Sequence, residues 1–157
     1  MPRSTAKAPE RGVPKYVLDS FALIAWLRDE PGADTVQTLL EKADENRAQI
    51  YVSWLNIAEV YYVTKRRSIE ADSRLAADKV VEIIEGLPIQ IESISKTEAV
   101  AAARLKADHA ISLADAFAAA LAKTYSAHVV TGDPEFESLD RRTEVPILWL
   151  PAKCKST

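Results

Sequence analysis

Four carboxylates stand where an acid is awkward unless it takes part in chemistry. Asp19 ends the short apolar run Tyr16-Val17-Leu18, and Asp133 follows the apolar segment 127–130 within Thr131-Gly132-Asp133-Pro134. Asp115 comes three residues after Ser112, a spacing that reads as a helix start with a side-chain cap and a carboxylate in the first turn. The helix it opens, Leu113-Ala114-Asp115-Ala116-Phe117-Ala118-Ala119-Ala120-Leu121-Ala122, is apolar nearly all round, which predicts burial. An acid carried into a packed region is unfavourable unless something compensates its charge. Glu59 has Leu55, Tyr62 and Val63 at i−4, i+3 and i+4, so it falls inside an apolar stripe, with Asn56 at i−3. Taken singly, Asp19, Asp115 and Asp133 read equally as helix caps, and Glu59 as a stripe edge or an ion-pair partner. Taken together, four acids converging on one place would repel one another without cations. Hard oxygen donors with no Cys and no His pattern beside them suit Mg²⁺ or Mn²⁺.

The elements that must hold these residues alternate. Short β-type segments are expected at 16–18, 49–52, 88–92, 127–130 and 146–150. Between them, helical spacing covers 21–27, 33–45, 54–65, 69–85 and 96–108, with Ser53 and Ser95 as caps, then the Asp115 helix. Pro134 suits a first helical position. Strands alternating with helices predict a parallel sheet covered on both faces, whose ligands bind beyond the carboxyl ends of the strands. Residues 1–14 read as a disordered arm, 15–150 as one domain and 151–157 as a tail.

Composition narrows the function classes. With 157 residues and an apolar share of 48%, the chain can bury a core. The one cysteine, Cys154, forbids a disulfide framework or a zinc-type cluster and is compatible with a reducing cytoplasm. No apolar run approaches the roughly 20 residues of a membrane span. A net charge of −3 requires any nucleic-acid partner to be met by a local basic patch or through bound cations.

Four segments in order carry a resemblance: Tyr16-Val17-Leu18-Asp19-Ser20-Phe21, Asn56-Ile57-Ala58-Glu59-Val60, Ile111-Ser112-Leu113-Ala114-Asp115-Ala116, and Thr131-Gly132-Asp133-Pro134-Glu135-Phe136. Together they resemble the successive motifs of PIN-domain ribonucleases, above all the VapC-type toxins of prokaryotic toxin–antitoxin pairs. The resemblance implies a three-layer α/β/α PIN-like fold with a mainly parallel, short-stranded sheet. It implies a metal-dependent endoribonuclease using Mg²⁺ or Mn²⁺, with Asp19, Glu59, Asp115 and Asp133 as its metal-binding acids. Thr131 matches a hydroxyl often found in such sites, and Ser20 and Asn56 are candidate supports for the acids. It also implies an RNA substrate, a small antitoxin that blocks the site, a toxin homodimer and a cytoplasmic location.

Further residues are candidates for the same work. Lys65-Arg66-Arg67 is the best candidate RNA contact, against a solvated helix end; Arg141-Arg142 is a second. His109 could touch a phosphate or be an incidental loop residue. Trp26, Trp54 and Trp149 read as core or interface residues. Val36, Leu39, Leu40, Val80, Ile83 and Ile84 could either receive a partner helix or pack within the chain. Rival classes fit less well. A dehalogenase-type phosphatase needs a second acid where Asp19-Ser20-Phe21 has none, and Gly12, Gly32, Gly86 and Gly132 are too isolated for a phosphate-cradling loop. A PIN nuclease of RNA maturation and a catalytically silent PIN scaffold are the remaining alternatives.

Overall fold

Strand β1 (Lys15–Leu18) alternates its side chains between two apolar faces, and the rest of the chain is laid down on either side of it. The computed structural model describes residues 12–70, 76–142 and 144–151. The expected disordered arm lies outside them up to residue 11, and the tail beyond 151. Among the described residues are β1, α1 (Ser20–Leu27), α2 (Ala33–Asp44), β2 (Gln49–Ser53), α3 (Trp54–Glu70), α4 (Ala77–Glu85) and β3 (Gln90–Glu92). They continue with α5 (Lys96–Asp108), α6 (Leu113–Tyr125), β4 (His128–Thr131), a 3-10 turn (Pro134–Phe136), α7 (Glu137–Arg141) and β5 (Ile147–Trp149).

All strand pairs are parallel, in the order β3-β2-β1-β4-β5. The chain thus winds outward from β1 to β3, then returns to place β4 on the other side of β1. Right-handed crossovers in opposite directions put helices on opposite faces. Leu18, Ile50, Val52 and Val130 meet α1 to α4 on one face. Val17, Tyr51 and Val129 meet α5, α6 and Phe136 and Leu139 on the other. This is the expected α/β/α layering around a parallel sheet. The strand order reverses between β1 and β4, which opens a crevice at their carboxyl ends.

Helix α6 is the centre of the second layer. Residues 114–122 are all buried, and the alanines let it lie close on β1, β2 and β4. Leu113, expected in its buried stripe, is instead 48% exposed at the first turn. Two further expectations are corrected. Helix α3 continues past Lys65 to Glu70, because nothing from Trp54 onward breaks it, so Ile69 belongs to α3 and not to the next helix. Val36, Leu39, Leu40, Val80 and Ile84 are buried in the core and Ile83 is half-buried, so the apolar faces of α2 and α4 are consumed within the chain.

Candidate metal centre

The crevice between β1 and β4 collects the acids because each strand ends in one. Asp19, directly after β1, caps α1 by accepting the Ala22 N–H at 2.9 Å through Oδ1. Its other oxygen, Oδ2, accepts a hydrogen bond from the Thr131 hydroxyl at the end of β4. Thr131 Oγ1 in turn accepts the Asp133 N–H at 3.0 Å. One hydroxyl therefore ties the exits of the two neighbouring strands together. Asp133 caps the 3-10 turn by accepting the Glu135 N–H at 2.9 Å.

Asp115 enters from the other layer. Ser112 Oγ accepts its backbone N–H at 3.1 Å, which leaves the carboxylate free of the capping role and aimed into the crevice. Asp115 is 4% exposed, yet its Oδ2 has no hydrogen-bond partner. Among the described residues, the other buried side-chain atom without a partner is Asn56 Oδ1. Buried polar atoms are nearly always satisfied, so each of these two orphans calls for an explanation, and Asn56 reaches the residue before Asp115. Asp115, Asp133 and Glu135 each bring one carboxylate oxygen to within 4.8 Å of the others.

Glu59 reaches this neighbourhood from α3. Its carboxylate accepts from the Ser20 hydroxyl, which also accepts the Asn56 Nδ2 donor at 3.1 Å. The same amide reaches the Ala114 carbonyl at 3.4 Å, so Asn56 ties α3 to the residue before Asp115. Ser20, Asn56 and Thr131 are all buried here.

Like charges and burial act in one direction. Burial pushes the Asp19 carboxyl up to about 7, with Asp133 and Glu59 adding to it against the hydrogen bonds from Thr131 and Ala22. Burial pushes Asp115 up to about 9, reinforced by a hydrogen bond with Glu135 and by the charges of Asp19 and Asp133. Asp133 is also raised, again chiefly by burial. Each shift favours the protonated carboxyl, and a cation placed among these acids would favour the ionised form.

Asp19, Asp115 and Asp133 thus lie within electrostatic reach of one another, and Glu59 within reach of Asp19. The tight oxygen trio, however, includes Glu135 and omits Asp19 and Glu59. Glu135 is not among the acids expected from the sequence. Its signal is an acid two residues after Asp133, in the turn that Pro134 starts. Ser112 fixes it by donating its N–H to Glu135 Oε2 at 2.9 Å.

Other candidates fall away from the crevice. Arg67 pairs with Glu30 at 3.7 Å, and Lys65 lies 5.9 Å over the Tyr61 ring. At 1.5 Å per residue, Lys65 is about 9 Å further along α3 than Glu59. His109 does not face a phosphate site, because its ring is buried between Ser138 and Glu144. Trp54 and Trp149 stay partly exposed, so neither is a core residue. Beside Glu59, a shallow groove of about 260 Å³ is lined by Leu55, Ala58, Tyr62, Leu113 and Ala114.

Gly132 has a steric duty between Thr131 and Asp133, since a Cβ there would collide with the Phe21 ring. Gly132→Ala is expected to lower stability by about 1–3 kcal/mol, the usual range for overpacking. It should also weaken divalent-cation binding by moving Thr131 and Asp133; a urea midpoint matching the parent protein's would contradict this.

Comparison with known proteins agrees with the geometry. A family model described as PIN domain matches residues 16–142. Among solved structures, the chain is similar to VapBC2 from Rickettsia felis bound to a DNA fragment from their promoter. The TM-score is 0.63 at 16% identity, covering 87% of this chain and 99% of that one. VapBC-5 from Mycobacterium tuberculosis gives 0.60 at 20% identity, over 86% and 98%. VapC20 from the same organism, described as a Sarcin-Ricin loop cleaving toxin, gives 0.60 at 16% identity, over 78% and 93%. No curated protein matches the chain.

Proposed function

The chain belongs to the PIN domain family, and from that premise we propose that it is a metal-dependent endoribonuclease, the toxin of a VapC-type toxin–antitoxin pair. The observation that carries this reading is the buried Asp115, whose Oδ2 has no partner and which brings a carboxylate oxygen to within 4.8 Å of oxygens from Asp133 and Glu135. An all-oxygen donor set with an orphaned buried carboxylate fits Mg²⁺ or Mn²⁺. Asp115, Asp133 and Glu135 would hold the ion, with Asp19 and Glu59 completing the negative field or serving a second. When bound, such an ion neutralises a phosphodiester and makes a water acidic enough to attack it.

The chain's own groups do the rest. Thr131 orients Asp19 and anchors Asp133; Ser20 orients Glu59; Asn56 holds α3 against the start of α6. The N-terminus of α6 favours negative charge on Asp115 and on a phosphate brought to it. The expected products carry a 5′-phosphate and a 3′-hydroxyl. Lys65 and Arg66, exposed further along α3, are the proposed contacts for flanking phosphates. The antitoxin is assigned to the groove beside Glu59, where Tyr62 and Leu113 offer apolar surface at the rim of the site and an occupant would cover it. A homodimer completes the proposed assembly. No helix among the described residues is long and apolar enough to cross a membrane.

The test is direct. The purified chain, incubated with total RNA, should cut it with Mg²⁺ or Mn²⁺ and stop when EDTA is added; mapping the new 5′ ends gives the cleavage sequence. Absence of cleavage under both cations, with calorimetry showing no Mn²⁺ binding, would leave only the scaffold alternative.

A further inference from the structure

We propose that His109 is a positioning residue for the carboxylate site, acting through Ser138 and Glu144 to hold together the two chain segments that carry the trio. The proposal rests on the reading of that site as a divalent-cation centre. Two segments bring in the three acids. Asp115 arrives by the loop from the end of α5, residues 109–112. Asp133 and Glu135 open the segment that continues through α7 to the turn before β5. Beyond the packing of α6 on β4, the distance between the carboxylates depends on how that loop is fastened to that segment.

His109 closes α5, with an extended backbone that sends the chain into the loop. Its side chain is 1% exposed. Nδ1 lies 3.1 Å from Ser138 Oγ on α7, and Nε2 lies 3.0 Å from Glu144 Oε1. A carboxylate only accepts, so Nε2 carries the hydrogen toward Glu144. Glu144 is held in turn by Lys123, near the far end of α6, at 3.4 Å. One imidazole therefore spans the end of α5, α7 and the turn before β5. A second fastening follows three residues along the loop, where the Ser112 N–H donates to Glu135 Oε2 at 2.9 Å.

The surroundings explain why an imidazole is needed. Leu105, Ile111, Phe136, Leu139 and Val145 form the apolar cluster at this end of the fold, and an apolar residue would satisfy packing alone. Apolar contacts tolerate sliding, whereas two opposed ring nitrogens fix one register between loop and segment. The fixing matters because Asp115 stands on one side of this seam and Asp133 and Glu135 on the other, with a carboxylate oxygen of each within 4.8 Å of the others. With the imidazole removed, the Ser112–Glu135 bond would be left as the hydrogen bond between loop and segment among the described residues.

Residues that orient metal ligands from outside typically change metal affinity by 10- to 100-fold when replaced. The experiment measures Mn²⁺ affinity by calorimetry on the full chain and the spin-resonance signature of the bound Mn²⁺. His109→Leu, close in volume but without polar atoms, should weaken binding by 10- to 100-fold and broaden the signature. His109→Gln, which keeps a donor for Glu144, should recover part of the loss. Combining His109→Leu with Glu144→Gln should cost little more than His109→Leu alone, since both remove the same fastening. A folded His109→Leu protein that binds Mn²⁺ as tightly as the parent would overturn the proposal. Should that variant not fold, the half-exposed Glu144→Gln decides, and unchanged affinity there also overturns it. If the unmodified protein binds no Mn²⁺, it is instead the reading of the site that has failed.

Discussion

Asp115→Asn is expected to reduce cation-dependent RNA cleavage by about three orders of magnitude while leaving the fold in place. A divalent ion contributes several kcal/mol of charge stabilisation to phosphodiester cleavage, and each 1.36 kcal/mol is about tenfold in rate. An amide offers one neutral oxygen where the site needs a charged ligand. The fold survives because the cap on α6 comes from Ser112 Oγ and the Asp115 N–H, which the substitution leaves intact. Burial pushes the Asp115 carboxyl up to about 9, which favours its protonated form in the cation-free protein. Asparagine has nearly the same shape and polarity as that protonated form. Cleavage, Mn²⁺ calorimetry and far-UV circular dichroism should therefore separate: the first two collapse and the third does not change. Parent-level cleavage by purified Asp115→Asn protein would remove Asp115 from the site.

The fold was legible because its signals are local. Asp19, Ser95, Ser112 and Asp133 all cap the helices or turns whose starts their spacing announces. Alternation of strands and helices predicts the parallel sheet. Three expected acids sit at strand ends or helix starts, where chain direction alone carries them to the carboxyl edge. What the sequence could not show depends on relations across layers. Glu135 becomes part of the trio because Ser112, 23 residues earlier, donates to it. His109 looks like a lone loop residue until Ser138 and Glu144 are folded onto its two nitrogens. The apolar faces of α2 and α4 resemble an interface in sequence because periodicity records amphipathicity but not what covers it. The surface left open is set by Tyr62, in the third turn of α3, and Leu113, the first residue of α6, which line one groove beside Glu59.

The same crowding of acids makes the cation-free protein sensitive to pH in an unusual direction. Burial pushes the Asp19 and Asp115 carboxyls up to about 7 and about 9, well above the usual carboxylate range. Stability falls with pH wherever the unfolded chain binds fewer protons than the native state. For a raised carboxyl the contribution is fully present below the unfolded value and is lost as pH rises through the folded one. The window here runs from about pH 4 to about pH 9, and Asp133, raised as well, acts in the same sense. Glu144 is the counterexample. His109 holds it low, so its contribution is lost only as pH falls through its folded value, on the acid side of that window. With EDTA present, the urea midpoint should therefore drop steadily between pH 5 and pH 8, by an amount worth about 3 kcal/mol or more. Saturating Mg²⁺ or Mn²⁺ should largely abolish the drop, because a ligand that binds only the native state stabilises it by RT ln(1 + [L]/Kd), which keeps growing as its concentration rises above Kd. The cation-induced increase in midpoint must then be larger at pH 8 than at pH 5, since fewer protons compete for the carboxylates. A midpoint that stays level with pH in EDTA, or a cation effect equal at both pH values, would mean that Asp19 and Asp115 do not share a buried site that a cation neutralises.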